Sequence, residues 1–123
     1  METGSAIGVV LSDDLMFSSR ITGTARSLGL TIKPARTIEI LENHVRQASP
    51  CCVILDLAFP TLQLADLLDW LRKSCAPMPR VVAYGSHVDA AGLKAAWDAG
   101  CDVVLPRSAF VEQLPHKLSE WMA

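Results

Sequence analysis

CCVILDLAFP, residues 51–60, opens with five consecutive apolar side chains and then meets a carboxylate, Asp56. An unbroken apolar run of that length, rich in β-branched residues, is what a strand covered on both faces looks like. Working outward, VVL, RVVA and DVVL repeat the pattern on either side. Together they predict strands over 7–11, 31–34, 51–55, 80–83 and 102–105, the second of them weakly marked. Helical periodicity fills the gaps. A first helix over 16–28 ends at Leu28-Gly29, where glycine suits the left-handed position that closes a helix. Ile38, Leu41 and Val45 mark a second helix, and Leu64, Leu67, Leu68 and Leu71 a third. Val88, Leu93 and Ala96 carry a fourth, closed by Gly100. The fifth runs from about Ser108, the expected N-cap, along Phe110, Leu114, Leu118 and Trp121. Strand and helix alternate throughout, so the expected architecture is α/β, a (βα)5 doubly wound five-stranded parallel sheet in a three-layer sandwich.

With 123 residues, half of them hydrophobic and a fifth charged, the chain is long enough to bury a core and is expected to form one domain, with residues 1–5 as a loose end. A formal charge of −2 provides no broad basic field for DNA or RNA. Cys51, Cys52, Cys75 and Cys101 form no CxxC pair and read as buried free thiols in a reducing cytoplasm. The beginning METGSAIGVVL has no basic stretch, and Asp13 and Asp14 interrupt its apolar run, so neither a signal nor a membrane segment is expected.

In an open parallel sheet, ligands bind beyond the carboxyl ends of the strands. The polar residues there are Ser12, Asp13 and Asp14 after the first strand and Asp56 after the third. Tyr84, Gly85 and Ser86 follow the fourth, and Pro106, Arg107 and Ser108 the fifth. Three carboxylates are therefore expected to converge on one rim. Crowded like charges call for a cation, and Mg²⁺ accepts carboxylate and carbonyl oxygens. A carboxylate beside such an ion can attack a phosphoryl donor, with Asp56 as nucleophile. Loops and helix caps use the same aspartates without any such chemistry.

The segments VVLSDDLMF (9–17), VILDLAFP (53–60) and AGCDVVLPR (99–107) resemble, in order and spacing, the acidic, phosphoacceptor and lysine motifs of bacterial two-component response regulator receiver domains. The resemblance covers nearly the whole chain and implies a flavodoxin-like, CheY-like fold. Asp56 with Pro60 matches the acceptor motif. By that likeness Asp56 is the phosphoacceptor and Asp13 the metal-binding acid, followed by Asp14. The Ala58 backbone carbonyl would be the third protein ligand.

The pattern also breaks. Ser12 stands where the family has an acid, which weakens the implied Mg²⁺ site or removes it. The switch hydroxyl falls on Gly85 or Tyr84 according to where the count begins, with Ser86 as a substitute donor and an ordinary turn as the plainer reading. Arg107 replaces lysine, and its planar fork is expected to lock onto Asp56. Ser108 replaces a proline, so a trans bond is expected before it. Val104 replaces an aromatic residue. These departures are those of an atypical or pseudo-receiver that acts through protein contacts, its phosphorylation switch impaired. A receiver that takes a phosphoryl group on Asp56 from a histidine kinase is the alternative.

Expected partners are proteins, either a histidine kinase or a downstream effector. A homodimer is the other expectation, through the face of the fourth helix, fifth strand and fifth helix with Trp97, Val104, Lys117 and Glu120. Trp97 also reads as a cover for its helix end, and Trp70 and Trp121 as packing residues. No phosphate-cradling GxGxxG or GxxxxGK[ST] follows the first strand, which disfavours a nucleotide binder. His44, His87 and His116 are scattered and read as surface residues, so no metabolic turnover is expected.

Overall fold

The computed structural model describes residues 6–123. The expectation for residues 1–5 therefore lies outside the described residues. Ten elements alternate in order: β1 Ile7–Leu11, α1 Leu15–Ser27, β2 Thr31–Ala35, α2 Ile38–Gln47, β3 Cys52–Asp56, α3 Leu64–Ser74, β4 Arg80–Gly85, α4 Ala90–Ala99, β5 Val103–Pro106 and α5 Arg107–Trp121. All strand pairs are parallel, in the order β2-β1-β3-β4-β5, so strand order reverses between β1 and β3. The (βα)5 doubly wound sheet is thus the observed fold.

Alternation along the strands divides the core. Val9, Leu11, Val53, Leu55, Val81 and Ala83 face α2, α3 and α4, where they meet Leu41, Val45, Leu67, Leu68, Leu71 and Ala96. Val10, Cys52, Ile54, Val82 and Tyr84 face α1 and α5, against Ile21, Ala25, Phe110, Leu114, Leu118 and Trp121. The sheet is the middle of three layers, apolar on both sides because helices cover both. Trp121 is buried and stacks on Phe110 at 5.8 Å, as a packing residue does. Trp70 is partly buried beneath the Arg46 guanidinium.

Element boundaries moved where side chains competed for backbone groups. Asp102, expected inside β5, instead exchanges two bonds with Val81: its amide donates to the Val81 carbonyl, and its Oδ2 accepts from the Val81 amide at 2.8 Å. Pro34 lies in β2, at the sheet edge, where its missing N–H is tolerated. Gly29 (φ 75°) and Gly100 (φ 111°) close α1 and α4 in the left-handed region. Ser108 is not the N-cap of α5; Pro106 holds that place, and no side chain caps the helix. The Arg107–Ser108 bond is trans; among the described residues the cis bond is Ala76–Pro77.

Cys52, Cys75 and Cys101 are buried and Cys51 half-buried, all four as free thiols. Burial pushes the Cys52 thiol up to about 12 and that of Cys101 to about 11. His87 and His116 are exposed, and His44 is half-buried at the surface, with Nε2 3.1 Å from the Pro34 carbonyl. Among the described residues no helix is long and apolar enough to cross a membrane.

Candidate functional site

Parallel register builds the site. Asp56 is paired with Tyr84 on β4, and Ser12 follows directly on the Leu11–Leu55 pair of β1 and β3. Residues in register on parallel strands share a face, so Ser12, Asp56 and Tyr84 form one row across three strand ends, on the α1 and α5 side. Ser12 Oγ donates to Asp56 Oδ2 at 2.9 Å, and the Ala58 amide donates to Asp56 Oδ1 at 2.9 Å. Ser12 Oγ also accepts from the Asp14 amide at 3.1 Å. Asp56 is 5 % exposed, with both oxygens engaged and no cation paired with it among the described residues.

Tyr84 completes the row. Its ring stacks on Phe110 at 4.7 Å and leans on Phe17 at 4.9 Å. Its hydroxyl is buried, with the Ser12 side chain as its weak hydrogen-bonding neighbour. Burial raises the phenol well above its usual value, and the negative charge of Asp56 adds to the rise. Of the two positions counted from the sequence, Gly85 faces the other side of the sheet, against Leu57 and Leu93, whereas Tyr84 stands beside Asp56. Ser86 Oγ accepts from the Val88 amide at 3.3 Å, within an ordinary turn that leads into α4.

Arg107 does not lock onto Asp56. Its Nη2 lies 3.0 Å from Asp14 Oδ2, and its guanidinium sits 4.1 Å above the centre of the Phe17 ring. The reason is local: Asp14 is the N-cap of α1 and accepts from the Phe17 amide at 3.0 Å, which fixes its carboxylate within reach of the guanidinium that covers the Phe17 ring. The Phe17 amide and then Arg107 hold the Asp14 carboxyl below its ordinary value.

The three aspartates do not form the expected cluster. Asp13 is exposed, Asp14 is tied to α1 and Arg107, and Asp56 is enclosed by Ser12 and Ala58. Among the described residues no three His, Cys, Asp or Glu side chains come together. With serine in place of an acid, the donor set around Asp56 has one charge fewer to offer Mg²⁺, which weakens its fit to that ion.

Above the row opens a cleft of about 1140 Å³ between the start of α1, the end of β4 and the start of α5. Asp56, Ala58, Tyr84, Gly85, Ser86 and Arg107 line it, as expected of strand-end residues. Met16, Phe17, Arg20, His87 and Val111 line it too, which reasoning from the sequence had missed. The missed signal was the position of Tyr84, two residues beyond Val82 on a strand whose alternate side chains face α1 and α5.

Of the partner-face residues, Trp97 is 61 % exposed on α4, a helix that buries only Ala96. Val104 is half-buried on the core, while Lys117 and Glu120 pair with each other at 3.5 Å on the surface of α5.

No family model and no curated protein matches the sequence. Solved structures do. A response regulator signal receiver domain from Bermanella marisrubri superimposes with a TM-score of 0.83 at 21 % identity, over 98 % of this chain and all of that one. A putative response regulator from Chloroflexus aurantiacus gives 0.80 at 16 %, over 97 % and 98 %. A response regulator protein from Burkholderia pseudomallei, with a phosphorylated aspartic acid, calcium ion and citrate, gives 0.75 at 18 %, over 94 % of this chain and 70 % of that one. What this chain shares with these response regulators is the CheY-like receiver fold.

Proposed function

We propose that the chain is a receiver-like signalling module of the two-component type, not itself an enzyme, that acts in the cytoplasm through protein contacts with its phosphorylation switch impaired. The observation that carries this reading is the commitment of Arg107 to Asp14 and Phe17, which leaves Asp56 without a cation to receive a dianionic phosphoryl group. The enclosure of Asp56 by Ser12 and the Ala58 amide, with serine where a second acid would serve Mg²⁺, supports the same reading. The face of α4, β5 and α5, where Trp97 stands out, is the proposed docking surface for an effector, a kinase or a second copy.

The second reading is a working phosphoacceptor. Asp56 reaches the cleft, and the Burkholderia relative carries a phosphorylated aspartic acid on the same fold. Incubation with acetyl phosphate and Mg²⁺ followed by intact mass measurement tests the choice. No adduct is expected. A gain of about 80 Da that disappears in Asp56→Asn would overturn the impaired reading.

A further inference from the structure

Arg107 lines the same cleft as Asp56 and is turned away from it. Asp56, Tyr84 and Leu105 stand in register on neighbouring strands, which at about 4.8 Å per strand sets the Leu105 backbone roughly 10 Å from that of Asp56. Arg107 opens α5 two residues later, so its guanidinium has an open path through the cleft to a group carried on Asp56. Two contacts hold it on the α1 side instead, Asp14 Oδ2 at 3.0 Å and the Phe17 ring at 4.1 Å. Asp14 is placed by the same serine that holds Asp56: Ser12 Oγ accepts from the Asp14 amide at 3.1 Å and donates to Asp56 Oδ2 at 2.9 Å. Asp56, Ser12, Asp14 and Arg107 thus form one chain of contacts, and its outer link is weak. With the Arg107 and Asp14 side chains 47 % and 42 % exposed, the ion pair and the cation–π contact together bias the arginine by a factor of about ten. A bias of that size holds a side chain at rest and is open to release.

We propose that Asp14 is an autoinhibitory clasp: it keeps Arg107 from Asp56, and its release lets the guanidinium meet a phosphoryl group arriving there. In that transfer an Asp56 carboxylate oxygen forms the bond to phosphorus. The bond from phosphorus to the donor's leaving oxygen breaks, and that oxygen keeps the electron pair. Negative charge is spread over the equatorial oxygens, and a bidentate guanidinium is suited to neutralise it. While the clasp is closed, no cation is paired with Asp56 among the described residues. Asp14 is therefore a positioning residue that acts through Arg107 and does not touch the donor. The inference rests on the reading above, that phosphoryl acceptance at Asp56 is impaired at rest, and supplies a cause for it.

The test follows phosphoryl incorporation from acetyl phosphate with Mg²⁺ into the whole chain, Asp14→Asn, Arg107→Met and the double variant, each checked for an unchanged fold by circular dichroism. Asparagine keeps an oxygen for the Phe17 amide, so the α1 cap survives while the charge that draws Arg107 is removed. Asp14→Asn is expected to raise the initial rate about fivefold, or from below detection to a measurable rate. The same substitution in the Arg107→Met chain should change nothing, because no guanidinium is left to release. A rise of equal size in both backgrounds would mean that losing Asp14 merely eases charge repulsion, and overturns the proposal. A rate unmoved by Asp14→Asn overturns it too. Side-chain proton shifts of Arg107 give a readout independent of transfer: the Phe17 ring moves them upfield in the closed clasp, and Asp14→Asn should return them part of the way. Shifts that stay in place count against the clasp. The two readings fail separately, since ready labelling of the unsubstituted chain sinks the impaired reading, while the clasp stands or falls on the acceleration by Asp14→Asn.

Discussion

Arg107 and Asp14, separated by 93 positions in sequence, meet at 3.0 Å across the mouth of the cleft. The pair joins the first turns of α1 and α5 and holds the arginine away from Asp56. Both side chains are partly exposed, so the contact is an orienting one rather than a large source of stability.

Asp14 is expected to titrate below the ordinary carboxylate value in the folded chain, followed by carboxyl carbon chemical shifts against pH. Arg107→Met should move its titration up only in part, since the Phe17 amide, the larger cause, remains. A depressed folded value means the unfolded chain takes up the proton first. The stability Asp14 contributes is therefore present above the ordinary carboxylate range and lost as pH falls through the folded value.

Ser12→Ala leaves Asp56 Oδ2 buried without its donor. Urea denaturation should show a loss of about 1–3 kcal/mol. An unchanged midpoint would mean that water replaces the hydroxyl.

Ser12→Asp places a second carboxylate beside Asp56. Like charges at that spacing should lower the melting temperature in metal-free buffer, and Mg²⁺ should restore it. The same Mg²⁺ additions are expected to leave the unsubstituted chain unmoved.

Two glycines should respond with opposite sign. At Gly23, inside α1 with open space around an added methyl group, alanine should stabilise by about 0.5–1 kcal/mol. At Gly100, with φ at 111° and Arg72 Nη2 2.8 Å from the added carbon, alanine should cost about 1–2 kcal/mol. Paired thermal denaturation curves check both.

Phe110→Ala removes a fully buried ring stacked between Tyr84 and Trp121. A loss of about 3–5 kcal/mol is expected, read from the denaturant midpoint. The emptied space also frees the Tyr84 ring, so the Tyr84 hydroxyl should lose its fixed place beside Asp56.

The fold was legible because its signals are local. Runs such as CVIL and RVVA declare strands buried on both faces by their composition, and Gly29 and Gly100 end helices for steric reasons that belong to one residue each. One boundary slipped where a side chain took over a backbone group, Asp102 at β5, and another where no side chain did, at α5, which starts from Pro106 without a cap. Asp56 at the end of β3 could be read for the same reason, since a carboxylate that closes an apolar run marks a strand end.

The partnerships at the rim were not legible. Whether Arg107 meets Asp56 or Asp14 depends on where the α1 cap and the Phe17 ring lie relative to the start of α5, which is a question of how helices pack on a twisted sheet. The same holds for the row of Ser12, Asp56 and Tyr84, which exists only because parallel register aligns three strand ends. The sequence by itself determined the elements, their alternation and the polar residues at each strand end, because these follow from side-chain periodicity and backbone sterics. Tertiary structure alone decided which of those residues touch, because hydrogen bonds and ion pairs depend on distances of a few ångströms between segments that are remote in the chain.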